Sequence, residues 1–282
     1  MRLLYGYALL ILLPAFALGQ QPNQPLNKLT KKDVAQGWHL LFDGKTMAGW
    51  EDPSKKDPPG DGWTIEDGCL KVVAKPRITE DLVSAETFDD FELAFEWRVA
   101  AAGNSGVKYR IQDRIFVDHS KIKPDMKRWE DVLNFEILNR VSARRTLAPG
   151  VRGEDYTVAF EYQLTDDAQN PDAKRSPMRS TGALYNMVAP SGVVLKPLGE
   201  FNQSRIVVRG NHVEHWLNGV KVVDTSLDSP EVVKSITARW GADSAIYKLL
   251  AHPRTKGCPI SLQNHNDDAW FRSVKIRRLG RQ

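Results

Sequence analysis

Four Asp-Gly or Asn-Gly pairs punctuate this chain, at Asp43-Gly44, Asp61-Gly62, Asp67-Gly68 and Asn218-Gly219. Both residues of such a pair tolerate positive φ, which tight hairpin turns need. Between the pairs lie short runs of alternating apolar and polar residues, the period of a half-buried strand. Residues 63–66 and 69–73 flank Asp67-Gly68 as a hairpin, and residues 212–217 and 220–223 flank Asn218-Gly219. In 91–99 the alternation is strict, with Phe91, Leu93, Phe95, Trp97 and Val99 on one face. Further strands are expected at 107–111, 159–164, 205–209, 260–263 and 270–279. No long segment has helical period, so the expected fold is an all-β sandwich of the jelly-roll kind. Residues 116–153 and 239–256 do not fit the pattern. They are read as insertions, either binding loops or decoration, with a short helix around 126–133.

The first 19 residues combine Arg2, an apolar run to Leu18 and the small residues Ala17 and Gly19. That is the pattern of a cleaved secretory signal peptide. Residues 20–32 read as a flexible leader and 33–282 as one domain. The expected location is secreted or periplasmic, with no membrane attachment after cleavage. A net charge of +4 with scattered basic residues offers no stripe or motif for nucleic acid. Cys69 and Cys258 leave open one disulfide or two buried thiols.

The segment 159–167 gives the first indication of function. Phe160, Tyr162 and Leu164 face one way, toward a core, and Glu161 and Gln163 the other. A carboxylate and an amide two residues apart on one face suit a hydroxyl-rich ligand, with Asp166 and Asp167 at the strand end.

A series of ordered motifs resembles the 3-keto-disaccharide hydrolase domain family. The chain carries Gly37-Trp38-His39-Leu40-Leu41-Phe42-Asp43-Gly44, Asn104-Ser105-Gly106-Val107 and Phe160-Glu161-Tyr162-Gln163. Thr181-Gly182-Ala183-Leu184-Tyr185, Lys196-Pro197, His215-Trp216-Leu217-Asn218-Gly219 and Ile260-Ser261-Leu262-Gln263-Asn264-His265 follow. It departs from the pattern with Phe201 for the usual Trp, Asn264 for Asp and Ser273 for Asn. The resemblance implies an exported bacterial protein with a concanavalin A or laminin-G-like jelly roll. It also implies cleavage of glycosides or disaccharides that carry a ketone at C3. Such a ketone acidifies the C2 proton, so a base can remove it and the C1 substituent can leave by β-elimination, with hydration afterwards. This needs a base, a cation or donor for the enolate oxygen and an acid for the leaving group.

With that chemistry, Glu161 is the leading acid or base, His265 a proton shuttle and Arg110 the enolate cation. Arg110 is assigned to the Glu161 face because Val107, Tyr109 and Ile111 take the other, which also puts Lys108 there. Gln163, Asp166, Tyr185, Lys196, Gln263 and Asn104 are the expected substrate ligands. Asp166 and Asp167 could bind a divalent metal, bind sugar or cap a loop, and nothing in the sequence requires a cofactor. His215, sharing a face with Val213 and Leu217, reads as a satisfied core or groove-floor histidine. Trp129, Trp240 and Trp270 stand in or beside irregular segments, where an exposed indole would stack on a sugar. The competing classes are a non-catalytic carbohydrate-binding module and a two-carboxylate glycosidase. For the latter, Glu161, Gln163 and Asp166 fall short of a Glu-x-Asp-x-x-Glu pattern, and Glu136 would have to supply the second acid.

Overall fold

A computed structural model describes residues 26–51, 62–119, 122–126, 128–139 and 152–280. The expected signal peptide lies outside these residues, as does the side chain of Glu136. In chain order the elements are α1 (Lys31–Ala35), β1 (His39–Leu40), β2 (Trp50–Glu51), β3 (Trp63–Glu66), β4 (Cys69–Val72), β5 (Ile78–Thr79) and β6 (Leu82–Ser84). They continue with β7 (Phe91–Val99), β8 (Asn104–Asp118), α2 (Trp129–Asn139), β9 (Gly153–Thr165), β10 (Asn202–Arg209), β11 (His212–Leu217) and β12 (Val220–Ser226). Last come α3 (Pro230–Trp240), α4 (Ala245–Ala251), β13 (Ser261–Leu262) and β14 (Ala269–Arg278).

Strand alternation and turn chemistry build two sheets. One runs β12-β11-β10-β7-β14-β4-β3, with β1 paired to β14, and the other β2-β6-β13-β8-β9-β5. Asp67 and Gly68 have φ of 50° and 72°, and Asn218 and Gly219 47° and 87°. These double positive values close β3–β4 and β11–β12 as two-residue hairpins. Phe91, Leu93, Phe95, Trp97 and Val99 are all buried against Val107, Tyr109, Phe160, Tyr162 and Leu164 of the facing sheet. Phe95 meets Tyr162 edge-on, with centroids 5.9 Å apart. The all-β sandwich is therefore as expected.

His215 is fully buried, with its ring nitrogens 2.8 Å from the Tyr109 hydroxyl and 2.9 Å from the Gly182 carbonyl oxygen. Burial, opposed by backbone hydrogen bonds, lowers its pKa to about 4. It is a neutral core histidine, as read from its face. Cys69 and Cys258 are both free and buried, so no disulfide joins them.

Three expectations need correction. The flexible leader does not extend to residue 32. Asn27 is buried, its Nδ2 donating to the Gly68 carbonyl at 2.9 Å and its Oδ1 accepting from Ser273 N at 2.7 Å. Thr30 and Asp33 then form a reciprocal capping box on α1. The second correction concerns 239–256, which is not wholly irregular: it holds the end of α3 and all of α4. Ser229 caps α3, Pro230 opens it, and Val232, Ile236 and Trp240 bury at four-residue spacing. Third, Arg110 does not share a face with Glu161. Tyr109 pairs with Phe160 and Asp113 with Val158, so residues 110–112 stand opposite Ala159 alone. This bulge breaks the alternation, with Arg110 at φ 50°. Its side chain has no exposure. The guanidinium donates to the carbonyls of Asp89, Thr255 and Gly210 and to Asp90 Oδ1, joining three connections away from Glu161.

No helix among the described residues is long and apolar enough to cross a membrane.

Candidate active site

The outward face of the second sheet is polar where β13, β8 and β9 run side by side. Lys108 pairs with both Ser261 and Glu161, and Gly106 with Gln163. Strand parity then puts Lys108, Ser261, Glu161 and Gln163 on the face opposite the core. Lys108, Glu161 and Gln163 floor a cleft of about 230 Å³ whose walls include Asn104, Tyr156, Tyr185, Arg239, Gln263 and His265.

A buried ion pair organises the floor. Lys108 Nζ lies 2.7 Å from Asp81 Oδ2, and both residues are at most 5% exposed. Asp81 Oδ2 also accepts from Thr157 Oγ1 at 3.0 Å and Ser261 Oγ at 3.5 Å, and Oδ1 accepts from Asn264 N at 3.2 Å. Donors from three strands and a loop thus satisfy a carboxylate that burial would otherwise make costly. Burial also opposes charge on Lys108, but Asp81 and Glu161 outweigh it and hold the ammonium protonated above its ordinary range.

Glu161 is placed differently. Among the described residues its carboxylate accepts no hydrogen bond. Burial pushes its pKa up to about 7; Lys108 opposes the shift and Asp81 adds to it. Space for the carboxylate comes from Gly106, where a Cβ would lie 2.1 Å from Glu161 Oε1 and 2.8 Å from its Cδ. Gly106→Ala is therefore expected to swing the carboxylate away, lowering kcat/KM by roughly 10- to 100-fold with a small change in the urea midpoint. Unchanged kinetics would show that the observed position of Glu161 is not needed.

The β13–β14 loop arches over this floor. Asn266 Oδ1 accepts from Thr79 Oγ1 at 3.1 Å on one side, and Asp267 Oδ2 from Asn104 N at 3.1 Å on the other. His265, just before these anchors in the chain, is half exposed, with Nδ1 3.8 Å from Asp267 Oδ2. Partial burial opposes its protonation, but Asp267 and Glu161 outweigh it and raise its pKa. Gln163 Nε2 donates to Asn104 Oδ1 at 3.0 Å, and Gln263 Oε1 is buried with no partner among the described residues. A ligand hydroxyl would supply the missing donor.

The structure thus brings together Glu161, His265, Gln163, Gln263, Asn104 and Tyr185. Tyr185 contributes its ring, since its hydroxyl already donates to Asp172 Oδ2 at 2.8 Å. Three other expected ligands lie elsewhere. Lys196 Nζ donates to the Phe201 carbonyl at 2.8 Å and braces its own loop. Asp166 caps backbone N–H groups of Ala102 and Ala168, and Asp167 that of Thr181. As caps directed at separate backbone groups, the two acids make no metal site together, so the loop role is the one realised.

Asp81, Arg239 and Tyr156 are not marked as site residues by the sequence, whereas Trp129, one of the three candidate stacking indoles, does line the cleft. Arg239 comes from the last turn of α3, where its Nε lies 3.3 Å from Glu130 Oε1 and its guanidinium 5.5 Å from the Tyr185 ring centre. The four-residue spacing of α3 was the available signal for Arg239. Asp81 carries none, because its partners are distant in sequence.

A two-sheet jelly roll with a pre-formed polar cleft on one outer face is a scaffold able to handle a small hydroxylated ligand. The chain belongs to the family of 3-keto-alpha-glucoside-1,2-lyase-like domains, which it matches over residues 37–277. It is 31% identical over 259 residues to a Bacteroides thetaiotaomicron protein named 3-keto-disaccharide hydrolase, a match covering 87% of this chain and 79% of that one. Among solved structures, it resembles a Parabacteroides distasonis protein provisionally assigned as a glycosyl hydrolase. That match has a TM-score of 0.65 and 25% identity and covers 91% of this chain and 100% of the other. A second Parabacteroides distasonis structure, at TM-score 0.55 and 21% identity over 86% of this chain and 99% of that one, has the same fold.

Proposed function

We propose that this chain cleaves glycosides bearing a ketone at C3, by abstraction of the C2 proton, elimination and hydration. The relative named 3-keto-disaccharide hydrolase supports the substrate class. The observation that carries the mechanism is the Glu161 carboxylate, its pKa pushed up to about 7, accepting no hydrogen bond among the described residues and facing the cleft beside a buried ammonium.

In this reading Glu161 takes the C2 proton, and the C–H electron pair forms the C2–C3 double bond, leaving negative charge on the ketone oxygen. Lys108 supplies positive charge near that oxygen without reorganisation. The enolate then forms the C1–C2 double bond as the C1–O bond breaks, and the leaving oxygen takes a proton from His265. Water next adds at C1 of the enone, Glu161 returns its proton to C2, and the proton lost by water restores His265. Asn104, Gln163 and Gln263 hold hydroxyls. The leader pattern in residues 1–19 adds that this chemistry takes place outside the cytoplasm.

The test is ultraviolet detection of enone, together with release of aglycone, from a 3-keto-glucoside run beside the unoxidised glucoside. Cleavage of the keto substrate alone supports elimination. Cleavage of both points to a conventional hydrolase, and binding without cleavage to a carbohydrate-binding module.

The pH profile of kcat/KM is expected to be a narrow bell. Glu161 must be ionised to act as base, so the rate falls as pH drops through about 7. His265 must be protonated to act as acid, so the rate falls again above its raised pKa. The two groups interact, so both limbs belong to the pair. His265→Gln should lose the alkaline limb; a wild-type profile flat from pH 5 to 9 would rule out this pair as the proton carriers.

A further inference from the structure

The cleft has two chemically different ends. Along β9, Gln163 lies C-terminal to Glu161 and Tyr156 N-terminal to it. Their partners on β8 follow the same order, with Gly106 opposite Gln163 and Ile115 opposite Tyr156. The Gln163 end offers the side-chain amides of Asn104, Gln163 and Gln263, including the buried Gln263 oxygen that lacks a donor among the described residues. At the Tyr156 end several polar side chains already have partners. Arg239 Nε is at Glu130, Asp155 Oδ2 lies 3.3 Å from Arg114 Nη2, and Thr157 donates to Asp81. What this end presents is ring surface. Trp129, the first residue of α2, lines the cleft and meets Tyr156 at 79° with centroids 6.5 Å apart. It is partly exposed, and its indole makes no hydrogen bond among the described residues.

We propose that Trp129 and Tyr156 form a leaving-group subsite that takes a flat aromatic aglycone and makes the enzyme selective for aryl glycosides. The assignment of a leaving group to this end rests on the function proposed above. An end with an unsatisfied acceptor gains by taking a hydroxylated ring, whereas an end that presents two aromatic rings gains by burying a flat apolar face. The keto sugar therefore lies over the amides, and its C1 substituent points past Glu161 toward Trp129. The insertion carrying α2 is then the element that sets aglycone preference.

Calorimetric titration of the full chain with unoxidised phenyl and methyl glucosides, in both anomers, tests the subsite without turnover. Phenyl glucoside is expected to bind at least tenfold more tightly than methyl glucoside. Trp129→Ala should remove most of that advantage, while the methyl glucoside, lacking the ring, loses much less. Trp129→Phe should retain a good part of it. Trp129→Leu, which keeps apolar bulk without a ring, guards against a misfolded alanine variant and should behave like it. Equal affinity for the two ligands, no binding of either, or an equal loss of both in Trp129→Leu overturns the proposal. Wild-type cleavage of a 3-keto methyl glucoside reads the reaction separately. If it fails while the phenyl preference and its loss in the variants hold, the reaction is wrong and the aromatic subsite stands.

Discussion

Glu161→Gln should abolish ketone-dependent cleavage while making the protein more stable above pH 7. The amide cannot accept the C2 proton, and loss of a positioned base costs about 10²–10⁴ in kcat/KM. The stability effect follows from the raised pKa. A free glutamate titrates near 4.5, and Glu161 in the fold near 7. Between those values the native state holds a proton that the unfolded chain has released, so stability declines as pH rises. The penalty is absent below about pH 4.5 and complete above about pH 7, where it reaches at most about 3 kcal/mol. Glutamine matches the shape and carries no charge to desolvate. Urea unfolding at pH 8 should therefore favour the variant by about 1–3 kcal/mol, with the difference closing as pH is lowered toward 4.5. A difference that ignores pH would mean that Glu161 is not buried as a charge. A variant that keeps its activity would remove Glu161 from the proton chemistry altogether.

That carboxylate was legible because strand alternation is a local rule. Phe160, Tyr162 and Leu164 mark the buried face of β9, and Glu161 and Gln163 follow onto the other. The same rule failed for Arg110. Three residues of β8 stand against one of β9, and no glycine or proline marks the break. Lys108, before the bulge, keeps its parity and sits where the rule puts it. Asp166, Asp167 and Lys196 are ligands of nearby backbone. A polar side chain finds such local partners easily, and the sequence does not distinguish a cap from a sugar ligand. Arg239 was within reach, since Ser229-Pro230 and the Val232, Ile236, Trp240 spacing announce a helix. The expected strands on either side, at 220–223 and 260–263, left the segment between them to be read as connection instead. Asp81 depends on contacts with residues 27, 76, 180 and 183 positions away. Only the closed sandwich brings those groups together, so no window of sequence contains its role.

Asp81→Ala should be the most destabilising single change in the cleft. Lys108 is only 5% exposed, and its ammonium would lose the carboxylate 2.7 Å away. Removing one partner of a buried pair costs about 3–5 kcal/mol, because the other charge stays desolvated. Thr157 Oγ1, Ser261 Oγ and Asn264 N would lose their acceptor as well. A double-mutant cycle with Lys108→Met separates the charge from these hydrogen bonds. Methionine leaves no stranded ammonium, so Asp81→Ala should cost substantially less in the Lys108→Met background. A cost below about 1 kcal/mol for Asp81→Ala alone would mean that Lys108 finds water or another partner. Kinetics distinguish those cases. Glu161 is the next carboxylate in the Lys108 field, and Asp81 adds to the upward shift of its pKa. With Asp81 gone, Lys108 should turn to Glu161, lowering the Glu161 pKa and drawing its lone pairs into an ion pair. The acid limb of the pH profile would then move below 7 as the rate falls at every pH. By holding Lys108 on the far side, Asp81 leaves Glu161 unpaired at neutral pH and able to accept a proton.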